Sequence, residues 1–288
     1  MGCRRYSPTP SPYSISPQED PLMNMLELLL YGQAGASILM FGGWLVALKI
    51  NNTSYVDVLW AYGVGILAFC YLYLSRDQTD PDRLLLLQCL VLLWSIRLGT
   101  YLFRRCLGKP EDSRYAYLRQ SLGKRAKSGF FFFFQIQAFW VVLFASPFLV
   151  LVGNPNALNF LDFTGLTIWF IGFIGLNIAD RQLARFKKSP KRTRAEVCDV
   201  GLWKYSRHPN YFFEWVLWIG YLPLGWAAPE GTWLVALPFI LYLFLTKITG
   251  IPFVEARKLE VSGKAYATYV ERTSAFFPWP PENRDSSS

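Results

Sequence analysis

The sequence predicts an all-α membrane protein built as a bundle of about seven transmembrane helices. Three observations carry that prediction. Of 288 residues, 52% are hydrophobic and only 17% charged, with a mean hydropathy of +0.22, whereas soluble domains carry roughly 25% charge. The apolar residues fall into long windows, and the basic residues fall into alternate connections between them. Twenty-three Phe, 16 Tyr and 11 Trp argue against a disordered chain, because such side chains bury enough surface to offset chain entropy.

Seven windows are legible in order: Met25–Leu48, Tyr55–Leu74, Leu84–Phe103, Phe130–Val152, Phe163–Ile178, Tyr211–Ala228 and Thr232–Ile251. A hydrocarbon core of about 30 Å needs ~20 largely apolar residues per helix, and most windows supply them. The fifth and sixth are shorter and carry Asn177 and Glu214. Residues 1–22 form a Pro/Ser-rich segment expected to be disordered, 23–281 the membrane domain, and 282–288 a tail. Gly2 does not open a myristoylation signal, because Tyr6 stands where Ser or Thr is needed. The five cysteines show neither metal-ligand spacing nor a disulfide framework.

Net charge is +9, from 29 Lys and Arg against 20 Asp and Glu. Eight basic residues lie in Arg104–Lys127 and nine in Arg181–Arg207, together 17 of the 29. The opposite connections, Ser75–Arg83, Gly153–Asp162 and Pro229–Gly231, are neutral or acidic. With seven spans, both basic loops and the C-terminus share one side, which the positive-inside rule makes cytosolic. Topology therefore explains the charge, and nucleic acid is not an expected partner. The glycosylation acceptors in Asn51-Asn52-Thr53-Ser54 fall on that same side and are expected to be unused.

Ionisable residues beside or within spans are costly in lipid, so each is a functional candidate. Asp57 opens the second span, Arg97 to Arg105 close the third, Asp180 to Arg185 close the fifth, Glu214 lies just inside the sixth, and Glu255 follows the seventh. The densest cluster is Gly201-Leu202-Trp203-Lys204-Tyr205-Ser206-Arg207-His208-Pro209-Asn210-Tyr211-Phe212-Phe213-Glu214, which holds the single histidine of the chain. Pro209 suits a first helical turn, whose N–H groups attract anions. Arg207 adds a fork of donors suited to phosphate or carboxylate. Asn210 and Glu214, four apart, share a helix face.

That stretch resembles the hallmark of the steroid 5-alpha-reductase-like family of integral membrane proteins, in particular its uncharacterised branch. Val56-Asp57-Val58-Leu59-Trp60, the segment from Arg97-Leu98-Gly99 to Arg114-Tyr115, and Thr273 to Pro280 resemble the same branch, so the likeness spans about residues 50–281. The Arg207-His208-Pro209-Asn210-Tyr211 core is also similar to membrane methyltransferases such as isoprenylcysteine carboxyl methyltransferase. The resemblance implies a cofactor pocket at the cytosolic side, a nicotinamide dinucleotide arriving from the cytosol, and a lipid-like substrate, steroid or other, arriving from the bilayer. It assigns cofactor binding to Asp180 and Arg185 beside Asn177, although Asn177 and Asp180 are three apart where the family has four. It also assigns Asn210 and Glu214 to the nicotinamide amide or ribose, with Tyr205 and His208 as further pocket members.

Tyr101 and Arg104 match a family Tyr followed three residues later by Arg, and Asp57 stands for the acidic partner of that Tyr. The implied chemistry is hydride transfer to a C=C bond conjugated to a carbonyl, with Tyr101 donating to the carbonyl oxygen and Asp57 orienting it. Arg104, Arg207 and the run Lys187 to Arg194 favour NADPH over NADH, unless the run only touches anionic lipid at ~1 kcal/mol per basic residue. No Gly-x-Gly-x-x-Gly is present, so a cofactor site must be built from helix ends. The alternative is an S-adenosylmethionine-dependent methyltransferase, with Glu255 holding the cofactor and Gly263 to Tyr269 resembling the methyltransferase C-terminus. A third reading is a non-catalytic lipid-binding protein. The endoplasmic reticulum is the expected membrane. Substrate and oligomeric state stay open at this stage.

Overall fold

The computed structural model describes residues 21–189 and 196–282, and among them it contains helices and no strand. The expected disordered head and most of the tail lie outside the described residues, as do positions 190–194 of the basic run. Helix α1 (Pro21–Ile50) begins two residues inside the segment expected to be unstructured. It ends at a tight turn in which Asn51 takes a φ of +52°, a left-handed conformation that asparagine tolerates.

Helices α2 (Tyr55–Leu74) and α3 (Pro81–Cys106) form an antiparallel pair. Asp80 caps α3 by accepting from the N–H groups of Asp82 and Arg83, with Pro81 in the first turn, where its missing N–H costs nothing. A short helix α4 (Ser113–Leu122), capped by Asp112, lies between α3 and α5 (Ala126–Ala145). Pro147 then separates α5 from α6 (Pro147–Val152).

Helix α7 (Phe160–Lys188) opens on a capping box made by Asn159 and Asp162. It runs ten residues past the expected end of the fifth window, so Asp180 sits within the helix and not beyond it. The polar residues added there have partners: Asp180 pairs with Arg97, and Gln182 accepts from the Leu202 N–H. Helix α8 (Pro209–Ile219) and the single turn α9 (Tyr221–Leu224) follow, then α10 (Ala236–Leu243), a π-helical turn at Phe244–Ile248, and α11 (Ile251–Arg272).

Six helical stretches are long and apolar enough to cross a membrane. The α8–α9 unit makes a seventh passage, shorter at ~24 Å for a rise of 1.5 Å per residue. It starts where the Arg207 N–H meets Ser274 and ends where the Leu224 carbonyl accepts from Arg83. Gly172 lets it lie close on α7, since a Cβ there would come within 2.5 Å of the Leu217 backbone. With this alternation both basic connections and the C-terminal segment gather at one end of the bundle, as the sequence predicts.

At the opposite end Arg83, fully buried, ties α3 to α7. Its guanidinium donates to both Asp162 oxygens at 2.5 and 2.7 Å and to the carbonyls of Asn156, Ala157 and Leu224. Between the ends the core is aromatic: Trp60, Trp94, Trp218 and Phe144 close a ring of edge-to-face contacts with centroids 5.2–6.1 Å apart. Helices α3 and α7 are not packed tightly on each other; α2 and α8 are their close neighbours. The space this leaves at the basic end becomes the site.

Candidate functional site

A cavity of about 1040 Å³ opens at the basic end between the C-terminal halves of α3 and α7. From α3 it is lined by Arg97, Thr100, Tyr101, Arg104 and Arg105, and from α7 by Asn177, Asp180, Arg181, Lys187 and Lys188. Lys109, Pro110 and Asp112 close one side. Six of the lining residues at the mouth are cationic: Arg104, Arg105, Lys109, Arg181, Lys187 and Lys188. The cavity is therefore graded, with exposed cations at its mouth, the Arg97–Asp180 ion pair and the Asn177 amide further in, and the Tyr101 phenol, 37% exposed, between them.

The loop side is held by a polar clasp. Ser54 Oγ accepts from the Asp112 N–H at 2.8 Å, Glu111 accepts from the Thr53 N–H at 2.7 Å, and Asn52 donates to the Lys109 carbonyl at 3.3 Å. Arg119 engages both Glu111 oxygens at 2.9 and 2.7 Å. Burial pushes the Glu111 carboxyl up, but hydrogen bonds from Arg119 and Thr53 outweigh it and hold the group below its ordinary value. Asp112 behaves alike: burial raises it, while Arg114 and Arg105 pull it further down. Both acids are thus ionised ties that fix the α1–α2 turn against the start of α4.

The inner wall is less satisfied. Arg97 pairs with Asp180 across the cavity, their side chains 12% and 10% exposed. The other Asp180 oxygen and Asn210 Oδ1 are both buried without a donor of their own, and the Asn210 side chain lies within hydrogen-bonding reach of the Asp180 carboxylate. The Arg97 guanidinium lies over the Tyr101 ring, its carbon 5.4 Å from the centroid. Behind this wall Glu214 accepts from the indoles of Trp94 at 2.6 Å and Trp218 at 3.1 Å, which joins the hallmark helix to α3.

The structure therefore brings Tyr101, Arg104 and Asp180 together in one cavity and places Asn210 and Glu214 behind it. Asp57 is elsewhere: its carboxylate accepts from Tyr115 Oη at 2.6 Å and from Arg114 at 3.1 Å. The acid beside Tyr101 is Asp180 instead. Arg185 and Tyr205 are exposed and do not line the cavity.

Arg207, His208 and Glu255 form a separate node. Arg207 engages both Glu255 oxygens at 2.7 and 3.2 Å and donates to the carbonyls of Val270 and Thr273. His208 Nε2 lies 3.1 Å from Glu255, and burial holds its imidazole below its ordinary value against the pull of Glu255. Ser206 and Tyr205 add hydrogen bonds to Phe276 and Trp279. This node staples the C-terminal segment to the start of α8, so its arginine is committed internally and does not face the cavity.

Sequence reasoning counts Arg97 among the ionisable candidates but assigns it no role, and it passes over Trp94 and Trp218. Arg97 carried a usable signal, being an arginine inside an apolar window and four residues before Tyr101 on one helix face. The indole partners of Glu214 carried none, because a Trp in an apolar window reads as core.

Fold and site together define a multi-pass helical membrane protein with a cation-rimmed cavity at one end of its bundle. The chain belongs to the family described as Protein of unknown function (DUF1295), whose model matches residues 43–273. An uncharacterised protein of the fission yeast Schizosaccharomyces pombe is 26% identical over 264 residues, covering 82% of this chain and 75% of its own. No solved structure matches.

Proposed function

We propose that the chain is an NADPH-dependent membrane reductase of a C=C bond conjugated to a carbonyl in a lipid-like substrate. The observation that carries this reading is the graded cavity: a polyanion fits its cationic mouth, and the Asp180 carboxylate further in can accept from a hydroxyl or amide of a ligand. Its volume of about 1040 Å³ stands at the top of the ~300–1,000 Å³ range of small-molecule sites. S-adenosylmethionine is a cation without phosphate and finds like charge at that mouth. Glu255, the acid a methyltransferase would use, is occupied by Arg207 and His208.

On this reading Arg104, Arg181, Lys187 and Lys188 hold the phosphates, and Asp180 accepts from a ribose hydroxyl or the carboxamide. NADPH, when bound, supplies the hydride. The new C–H bond forms at the substrate's β-carbon, the C=C pair shifts to leave an enolate, and a proton from solvent adds at the α-carbon to complete the saturated carbonyl compound. Tyr101 donates a hydrogen bond to the oxygen on which charge develops, and Arg97 and Asp180 fix its ring and charge environment. The basic end faces the cytosol of an endoplasmic-reticulum membrane, by the positive-inside rule.

The test is turnover by the purified chain in a neutral detergent with NADPH and a panel of conjugated enone lipids. Nicotinamide oxidation should match the appearance of saturated product, and Tyr101→Phe should lower the rate by about 10²–10³. Methyl transfer from S-adenosylmethionine to the panel, with no oxidation of NADPH, would overturn the reading.

A further inference from the structure

Arg97 stands seven residues before Arg104 on α3, about 10 Å deeper in the bundle, and it lines the cavity. Its guanidinium donates to Asp180, and no other hydrogen bond leaves it among the described residues. An arginine carries five donors in a fixed fork. Arg83, on the same helix, shows what saturation looks like, with its nitrogens meeting five oxygens. The remaining Arg97 donors face the cavity and its solvent, and a ligand that displaces that solvent must offer them an acceptor, because donors held out of water without one are costly.

Tyr101, one turn further along α3, faces the same space, and its hydroxyl makes no hydrogen bond among the described residues. The kind of acceptor follows from charge and depth. Asp180 already offsets the Arg97 charge, so the pair does not match a phosphate dianion. The cations that do match one are Arg104, Arg181, Lys187 and Lys188, while Ile96, Leu183 and Ala184 make part of the same lining apolar.

We propose that Arg97 and Tyr101 form a two-donor site for a single carbonyl or carboxylate oxygen of an apolar ligand. Within the reductase reading, on which this half of the inference rests, Arg97 is a second catalytic residue, donating to the substrate oxygen as it gains negative charge. The binding half is independent of that reading, because it can be probed without any nicotinamide.

The probes are dodecanoate and dodecanol, which share a chain and differ in the oxygen group, titrated calorimetrically into the full chain in a neutral detergent at pH 8. Wild-type protein should bind dodecanoate at least about tenfold more tightly than dodecanol, the scale of one charge-assisted pair. Arg97→Gln should bring the ratio to near one with dodecanol binding retained, and Arg97→Lys should leave an intermediate ratio. If Arg97→Gln fails to fold because Asp180 is left uncompensated, the double variant Arg97→Gln/Asp180→Asn removes both charges and should show the same collapsed ratio. Equal binding of the two probes by wild type, or a preference that survives both variants, would overturn the inference. So would displacement of dodecanoate by inorganic pyrophosphate, because Arg97 would then be reading a phosphate. NADPH turnover alongside equal probe binding would retire Arg97 and leave the reductase standing; the reverse pattern would do the opposite.

Discussion

Two ion pairs join the same two helices, one near each end of the bundle, and they are built differently. Arg83–Asp162 is sealed: the arginine is fully buried, the aspartate is bound at both oxygens, and three backbone carbonyls take the remaining donors. Arg97–Asp180, about 21 Å along α3, is open: the arginine makes one side-chain hydrogen bond among the described residues, and both side chains border a cavity. A buried pair with every group satisfied fixes helices in place. A pair that borders an open cavity is also accessible to a ligand. Sequence marks both as charges in or beside apolar windows and cannot rank them.

The sharpest way to break the comparison is to cut both pairs alike. Asp162→Asn should cost about 3–5 kcal/mol by stranding the Arg83 charge, seen as a large fall in the thermal midpoint or loss of folded protein. Asp180→Asn should lower the midpoint far less, because the cavity gives Arg97 access to solvent, and should instead weaken NADPH binding by about tenfold or more. Equal destabilisation by the two would make Arg97–Asp180 a second structural clamp.

A smaller effect tests the mouth. Since Arg104, Arg181, Lys187 and Lys188 lie toward solvent, NADPH affinity should fall steadily with ionic strength, and Arg181→Gln should weaken it several-fold and flatten that salt dependence. The smallest effects come with pH. Glu111 and Asp112 titrate below their ordinary values in the fold, so their stabilisation is complete at neutral pH and is lost as pH falls through about 4 and below. His208 is likewise depressed. The unfolded chain therefore takes up that proton first, and stability should also decline as pH drops through about 6.5. His208→Gln should remove that second decline and leave the first.

Much of the bundle was readable because length and hydropathy report directly on what lipid tolerates. The α8–α9 passage was harder, since its 16 residues from Pro209 to Leu224 fall below the usual span. The site was readable in part. Tyr101, Arg104 and Asp180 line one cavity because each lies in the C-terminal part of a helix ending at the basic side. Arg207 illustrates the limit: its donors read the same whether they meet a ligand or Glu255, 48 residues further on. Asp57 was matched to Tyr101 by analogy, yet Tyr115 from α4 takes it. A helix period fixes which residues share a face, but not which neighbouring helix that face meets.

On the proposed function the basic-end cavity binds a phosphate-bearing nicotinamide cofactor. The direct measurement is the thermal midpoint of the purified chain titrated separately with NADPH and S-adenosylmethionine, in wild type and Asp180→Asn. A ligand that binds only the folded state adds about 2.7 kcal/mol at 100 times its dissociation constant, so NADPH should raise the wild-type midpoint clearly and the variant's far less. A rise with S-adenosylmethionine alone, or an NADPH rise undiminished in Asp180→Asn, would contradict it.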